Sequence, residues 1–461
     1  MRLWLDSFWD DLRTSFWFLP TLMVVAAVLL SLFTIHLDRV SGAQNWIATL
    51  GWTYTRGPEG SRALLSTVAG SMMTIASVTF SITVVALQLA SSQFGPRLLR
   101  NFMRDRGNQV ALGTFIATFT YCLLVLRTVN GSENEPFVPH IAVTVGLLLA
   151  LTSLGVLIYF IHHTAEAIQA ENVIANVGRE LDRQLDRLYP EELGEAALPA
   201  TASVEKPQIP ESFERESRPV FSSRAGYLQA IDTNRLLKLA SGCNGLVWIG
   251  RRPGRFFVEG AELARVWPAD RLDDDLADSI RGAFLIGPRR TRTQDVEFVI
   301  DQLVEVGVRA LSPGINDPFT AISCIDRLGE ALVVLAGRSI PSPYRLDEEG
   351  HLRVVTDLST TTGIVNACFD LLRQAGRAST AVSFRLLETI AEVARHTQNP
   401  TFRKALQRQA EAIICGCRET LPDPDDRQEA ENRYEEAVQA LGAPPAEART
   451  PSPLAVEPET G

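Results

Sequence analysis

The side chains best placed to do chemistry form a row of small and hydroxylated residues inside an apolar stretch. Ser66, Gly70, Thr74, Ser77, Ser81, Gln88 and Ser92 recur at intervals of three, four or seven. That spacing gathers them on one face of a helix. In a bilayer such a row has two uses. Small and hydroxylated residues let neighbouring backbones approach and share hydrogen bonds. Alternatively, the hydroxyls and the Gln88 amide line a wet path and replace part of a solute's hydration. Both uses require the row to turn inward, away from lipid tails. Residues 64–90 contain no Asp, Glu, Lys or Arg, so the buried charge of a proton-coupled pump is missing there. The expectation is a channel-like pathway for ions or small solutes, or a helix-packing stripe, built on Gly70, Thr74, Ser77, Ser81 and Gln88.

A second set surrounds a tight turn. Arg289, Arg290 and Arg292 precede an apolar-periodic segment, 294–311, which runs into Ser312-Pro313-Gly314-Ile315-Asn316-Asp317-Pro318. Pro313 ends that helix and Gly314 permits a left-handed turn. Asp317 and Pro318 then supply the cap and first-turn residue of a helix over 318–336. A helical hairpin needs these residues for structure alone. The same capped start, with Ser312, Gly314, Asn316 and Asp317 beside the three arginines, can also receive a small anionic ligand.

Other chemistry is thin. His162 and Glu166 are four apart and face each other on a helix, but two ligands do not complete a metal site. Cys415 and Cys417 form a C-x-C without a second pair. No G-x-x-x-x-G-K-[ST], H-E-x-x-H or G-x-S-x-G motif is present. No catalytic residue, metal ligand set or cofactor is therefore assigned, and an enzyme is unsupported.

The elements that must position these residues begin with four apolar stretches, 16–36, 64–90, 110–129 and 141–161. Each is about 20 residues or longer, enough for a helix to cross roughly 30 Å of hydrocarbon. The expected fold is a four-helix transmembrane domain over 1–165, followed by a cytoplasmic α+β region. Residues 166–190 read as an amphipathic stalk. Its seam of Ile174, Val177, Leu181, Leu185 and Leu188 suits either a coiled coil or packing on the chain's own soluble part. Residues 191–218 read as a linker, 219–270 as a small β-rich unit, 271–420 as a helical unit and 421–461 as a disordered tail. Within the β-rich unit, Pro253-Gly254, Val258, Gly260, Leu263 and Val266 are spaced as in half of a lipoyl-like barrel-sandwich. The nearby Lys238 falls in a helix over 233–241 rather than at a hairpin tip, so the unit reads as a structural β-barrel and not a carrier.

Charge sets the orientation. Arg97, Arg100, Arg104 and Arg106 separate the second and third stretches, whereas residues 130–140 carry Glu133 and Glu135 and no Lys or Arg. Cytoplasmic loops retain positive charge, which puts 91–109 and both termini inside. Arg39, Arg56 and Arg62 in the first loop dissent mildly. Trp4, Trp9, Trp17, Trp46, Trp52 and Tyr54 suit headgroup boundaries, and residues 1–15 read as an interfacial helix. The first span has an acidic flank (Asp6, Asp10, Asp11) and no small-residue cleavage site, so it reads as an anchor and not a signal peptide. A net charge of −10 argues against nucleic-acid binding. The six cysteines lack secreted spacing and suit a reducing compartment.

Three segments together carry a resemblance: Phe80-Ser81-Ile82 through Gln88 to Arg97, Gly226 to Asp232, and Ala310 to Pro318. They resemble an uncharacterised family of predicted bacterial membrane proteins, domain of unknown function 2254, over roughly residues 5–420. The resemblance implies a bacterial inner membrane and brings no activity or catalytic residues. The reading is an oligomeric membrane protein whose helices form a pathway regulated from the cytoplasm, its partners being the lipid bilayer and further copies of itself. The alternative is a non-conducting membrane-anchored sensor or scaffold that binds an anionic ligand or a protein.

Overall fold

The computed structural model describes residues 16–40, 57–98, 105–130, 137–189, 208–338 and 341–442. The expected interfacial helix over 1–15, the aromatic residues Trp46, Trp52 and Tyr54, the arginines Arg100 and Arg104, and most of the linker lie outside them. The chain divides into two compact units, Met1–Val173 and Ile174–Gly461.

Among its described residues, the first unit contains four helices long and apolar enough to cross a membrane: α1 Phe18–Val40, α2 Pro58–Phe94, α3 Arg106–Leu126 and α4 His140–Ala167. Helix α2 has 37 residues, against the 27 of the apolar stretch read from sequence. It starts on Gly57-Pro58 and stops at Gly95, whose φ of 105° only glycine adopts easily, with Pro96 beyond. Helix α3 is the most enclosed, with Ala111, Phe115, Tyr121, Cys122 and Val125 fully buried. Small residues let the helices close on it. A Cβ on Gly113 would stand 2.6 Å from Met23 Sδ of α1, and one on Gly146 of α4 would stand 3.2 Å from Leu65 of α2. Leu22, Leu29 and Phe33 of α1 and Leu148, Leu151 and Ile158 of α4 are exposed, as helices solvated by lipid require.

Several interior polar groups in this unit are paired across helices, although the buried hydroxyls of Ser61 and Thr79 find no partner among the described residues. The Tyr121 hydroxyl lies 2.9 Å from Thr34 Oγ1 and donates to the Ala142 carbonyl at 3.0 Å, tying α1, α3 and α4. Asp38 of α1 accepts from the backbone N–H groups of Ile141 and Ala142, both at 3.0 Å, and so caps α4. Thr118 and Ser153 meet at 3.1 Å.

The second unit is a mixture of helices and two open sheets. Helix α5, Ala170–Leu188, buries Ile174, Val177, Leu181 and Leu185. Arg292 pairs with Glu180 of this helix at 3.2 Å, and Arg338 pairs with Asp186. Four of the five seam residues are thus buried within the unit, as packing on the chain's own later part expects, and are not left open for a coiled coil.

After the short α6 (Phe213–Glu216) come β1 (Arg218–Phe221), β2 (Gly226–Ile231), α7 (Thr233–Gly242), β3 (Leu246–Trp248), β4 (Phe256–Phe257) and β5 (Glu262–Trp267). Then follow α8 (Asp274–Arg281), β6 (Phe284–Gly287), α9 (Val296–Ala310), α10 (Pro318–Ala336), β7 (Tyr344–Leu346) and β8 (Leu352–Val355). One sheet has the order β1-β5-β3-β8-β7 and the other β4-β2-β6. Val220, Leu228, Val247, Phe257, Val266 and Phe284 form a shared apolar core with Leu236 of α7 and Ile280 of α8.

The expected barrel is corrected here, since neither sheet closes. The stretch from Pro253 to Val266 sends β4 to the three-stranded sheet and β5 to the other. Strand β3 then pairs in parallel with β8, Val247 opposite Val354, from far along the chain. The segment 271–420 is likewise not wholly helical, because β6, β7 and β8 lie inside it. Each is three or four residues long and has no periodicity to read.

The remaining described elements are helices: α11 (Thr361–Ala375), α12 (Thr380–Arg395), α13 (Pro400–Thr420) and α14 (Pro424–Gly442). Helix α14 corrects the expectation of disorder for its own residues, while 443–461 lie outside the described residues. Ala430, Ala437 and Ala440 are buried, Arg418 binds Glu431 at 2.6 Å, and Arg403 donates to the Leu441 carbonyl at 2.8 Å. A buried face made of alanine is small and leaves little trace in a sequence rich in acids.

Candidate functional site

Helix α2 has two opposed faces. Leu65, Ala69, Met72, Ala76, Thr79, Thr83, Ala86 and Ala90 are buried, alternating steps of four and three. That heptad-like seam packs against α3. The row from Ser66 to Ser92 lies roughly 150° around the helix at about 100° per residue, and all seven of its members are exposed. Within one chain, therefore, the row does not border a space among the four helices. It lies on the outer flank of the unit.

Most hydroxyls of this flank are satisfied by their own helix. Thr74 donates to the Gly70 carbonyl at 3.1 Å, Ser77 to Met73 at 2.9 Å and Ser81 to Ser77 at 2.9 Å. Gly70 leaves open space, since a Cβ there would meet nothing within 4 Å. The Gln88 amide is exposed and forms no hydrogen bond among the described residues. A primary amide facing hydrocarbon without a partner is costly. Thr79 and Thr83, unremarked in the sequence row, face inward, and Thr83 donates to the Thr79 carbonyl at 2.8 Å.

The second candidate site is divided by the fold. The arginines precede α9 and the Ser312–Asp317 turn follows it, so 15 residues of helix, roughly 22 Å, separate them. Arg290 is held by Asp295 at 2.8 Å and Asp301 at 2.7 Å, and Arg292 by Glu180. Arg289 is exposed, with its carbonyl accepting from Gln229 at 2.8 Å. In the turn the left-handed residue is Asn316, φ 51°, and not Gly314; asparagine tolerates this conformation through its short polar side chain. Asp317 caps α10 by accepting from Phe319 and Thr320, both at 3.1 Å. The Thr320 hydroxyl and these amides hold its carboxyl below the ordinary value. The helix start thus already carries its own carboxylate, which competes with any incoming anion.

Around Arg290 lies a buried charge network that the sequence did not single out. Asp295 caps α9 through Phe298 N–H at 3.1 Å. Burial raises its carboxyl above the ordinary value, Arg290 offsetting only part of that. Arg252 binds Glu297 at 2.6 Å, and its backbone N–H donates to Asp357 at 3.2 Å. Nearby, burial pushes the Tyr189 hydroxyl up to about 12. Each of the two arginines thus faces a carboxylate, as charges with little access to water require.

At the other polar points, His162 meets Glu166 at 3.2 Å on the exposed surface. Its neighbour His163 is the residue with structural reach: Nε2 lies 2.8 and 2.9 Å from the two Asp105 oxygens. Gly107 makes this approach possible, since a Cβ there would stand 2.6 Å from the imidazole. Cys415 is exposed and Cys417 buried, so the pair does not present two thiols to one ion. Asp347, Glu349 and His351 converge in the β7–β8 hairpin, but Asp347 is already bound to Arg353 at 2.6 Å.

The family described as "Predicted membrane protein (DUF2254)" matches residues 13–392. The chain belongs to this family. The DUF2254 match takes in all four apolar helices and both sheets, and ends within α12. Two relatives are 33% identical over 376 residues, which is 80% of this chain and 70% of each relative. They are the "Uncharacterized protein Mb1321c" of Mycobacterium bovis and the "Uncharacterized protein Rv1290c" of Mycobacterium tuberculosis strain H37Rv. No solved structure matches this DUF2254 chain. A membrane location follows from the family and from the four apolar helices.

Proposed function

We propose that this protein is an oligomer of the bacterial inner membrane in which the hydroxylated flanks of α2 from several copies meet. They border a pathway for ions or small solutes, and the second unit, with both termini in the cytoplasm, regulates it. The observation that carries this reading is the outward row from Ser66 to Ser92, with a Gln88 amide that has no partner among the described residues. Further copies would remove that row from lipid. Flux through liposomes containing the purified protein tests the pathway. Flux above that of empty vesicles, lowered by bulky substitutions at Ser77 or Ser81, is expected. Absence of flux across a range of voltage and pH contradicts it.

One observation favours a second reading. Each hydroxyl of Thr74, Ser77 and Ser81 is already bonded to its own helix, so the flank also serves as a dry packing face. In that case the protein is a non-conducting anchored scaffold or sensor. Any anion it takes is held at one end of α9, not by the arginines and the turn together. Cross-linked copies without flux would select this reading.

A further inference from the structure

The chain from Phe221 to Tyr227 runs antiparallel to the chain from Phe256 to Glu262. Phe221 is paired with Glu262, and Ser222 N–H donates to the Ala261 carbonyl at 2.8 Å. Gly226 then faces Phe257, and Tyr227 faces Phe256. The two segments make one short ribbon at the edge of the second unit, and its outer residues are unusual. Phe221 is 49% exposed, Phe256 49% and Val258 60%. Phe256 packs edge-on against Tyr227 with 5.1 Å between ring centres, so its ring is held outward by a neighbour. Arg224, Arg251 and Arg255 stand on the same ribbon or on the turn leading into it, all exposed. None of the three forms an ion pair among the described residues, although many arginines of this unit do. Arg251 lies over the Phe257 ring at 5.2 Å and reaches the Phe256 carbonyl at 3.3 Å, fixed beside the aromatic residues. The nearby acids are Glu259, exposed on the turn, and Glu262, which is held by Arg265 at 2.8 Å.

We infer that this ribbon docks on an anionic lipid surface, the two phenylalanines and Val258 entering the headgroup layer while the arginines meet lipid phosphates. Three observations select that occupant. In a chain of net charge −10, three cations here have no ion pair among the described residues, which matches a negative partner. Exposed aromatic and aliphatic side chains bracketed by arginine are the composition of surface-seated membrane segments. The four apolar helices of the same chain keep a bilayer within reach of this unit, so the encounter is intramolecular and a weak surface suffices.

The test uses the full chain reconstituted in vesicles of phosphatidylcholine alone or mixed with phosphatidylglycerol. An environment-sensitive fluorophore is attached at Val258→Cys, with Cys415→Ser removing the exposed native thiol. With phosphatidylglycerol the probe is expected to shift to the blue and to be quenched by brominated lipid. High salt reverses both changes by shortening the screening length. Each Arg→Glu change at 224, 251 or 255 weakens docking about fivefold or more. A probe at Glu348→Cys, on a different exposed turn, stays in water throughout. A probe at 258 that is water-exposed in both lipids overturns the inference. So does one that is shielded regardless of lipid charge and more so at higher protein density, which means a second copy covers the ribbon. The lipid comparison needs no arginine variant, so it stands even where a variant fails to fold.

Discussion

Gly254 and Asp295 cannot both carry side chains where they stand: a Cβ on Gly254 would lie 2.1 Å from Asp295 Oδ2. Gly254 also has φ 91°, and its N–H donates to the Leu228 carbonyl at 2.8 Å. The Pro253-Gly254 turn is therefore the wall against which the buried Asp295–Arg290 pair is assembled. Gly254→Ala adds left-handed strain and displaces a buried carboxylate from its cation. A loss of about 2–4 kcal/mol is expected. Thermal unfolding of the purified protein should show it, and an unchanged melting temperature would deny the turn this role.

Asp317 gives a pH-dependent prediction. Its carboxyl is held below the ordinary 3.8 by Thr320 and the first amides of α10. A carboxylate that binds its proton less tightly when folded stabilises the fold above that ordinary value. The contribution is lost as pH falls through the lowered value. Asp317→Ala should therefore cost about 1 kcal/mol at neutral pH, and the gap to the native protein should close in acid below 3.8. Asp295 has the opposite sign. Its carboxyl is raised by burial, so its protonation favours the fold and stability falls as pH rises from the ordinary 3.8 to the raised value. Unfolding measured against pH in the native protein and in Asp317→Ala separates the two.

Tyr121 ties three helices of the first unit through Thr34 and Ala142. Tyr121→Phe keeps the ring and removes both bonds. About 1 kcal/mol of stability should be lost, the scale of hydrogen bonds between membrane helices. Unfolding in mixed micelles checks this, with Thr34→Val as the partner variant. The double change should cost less than the sum, because both single changes remove one shared bond.

Two glycines should respond differently to the same substitution. Gly113 is closed in by Met23 and Pro20, whereas Gly70 has open space around it. Gly113→Leu should unfold or loosen the single chain by about 3 kcal/mol or more through overpacking. Gly70→Leu should leave the chain's own stability within about 0.5 kcal/mol and weaken self-association instead. Size-exclusion with light scattering in mild detergent reads the second effect.

The sequence carried the membrane part well because a helix in lipid must be long and apolar, a condition written along the whole of 16–36 or 141–161 with few polar interruptions. Helix ends were legible where chemistry marks them, as at Asp317-Pro318. The direction of the α2 row was not, because hydroxyls at helical spacing read alike whether they face a sister helix of the same chain or its outside. The inward face was instead Leu65, Ala69, Met72 and Ala76, whose apolar side chains read like those of any other face of a membrane helix. Strand β8 was hidden because its partner β3 lies about a hundred residues away and no local pattern announces a parallel pair. The arginine cluster misled for a similar reason: only the fold shows that Asp295, Asp301 and Glu180 already occupy two of its three members.

The most direct measurement is oxidative cross-linking of Ser77→Cys in native membranes, with Leu151→Cys on the exposed face of α4 as the comparison. Rapid disulfide formation between copies at position 77, little at position 151, and protection of position 77 from lipid-phase thiol probes are the predicted results. Monomers at both positions, with position 77 open to those probes, would mean that lipid covers the α2 flank and that no assembly is built on it.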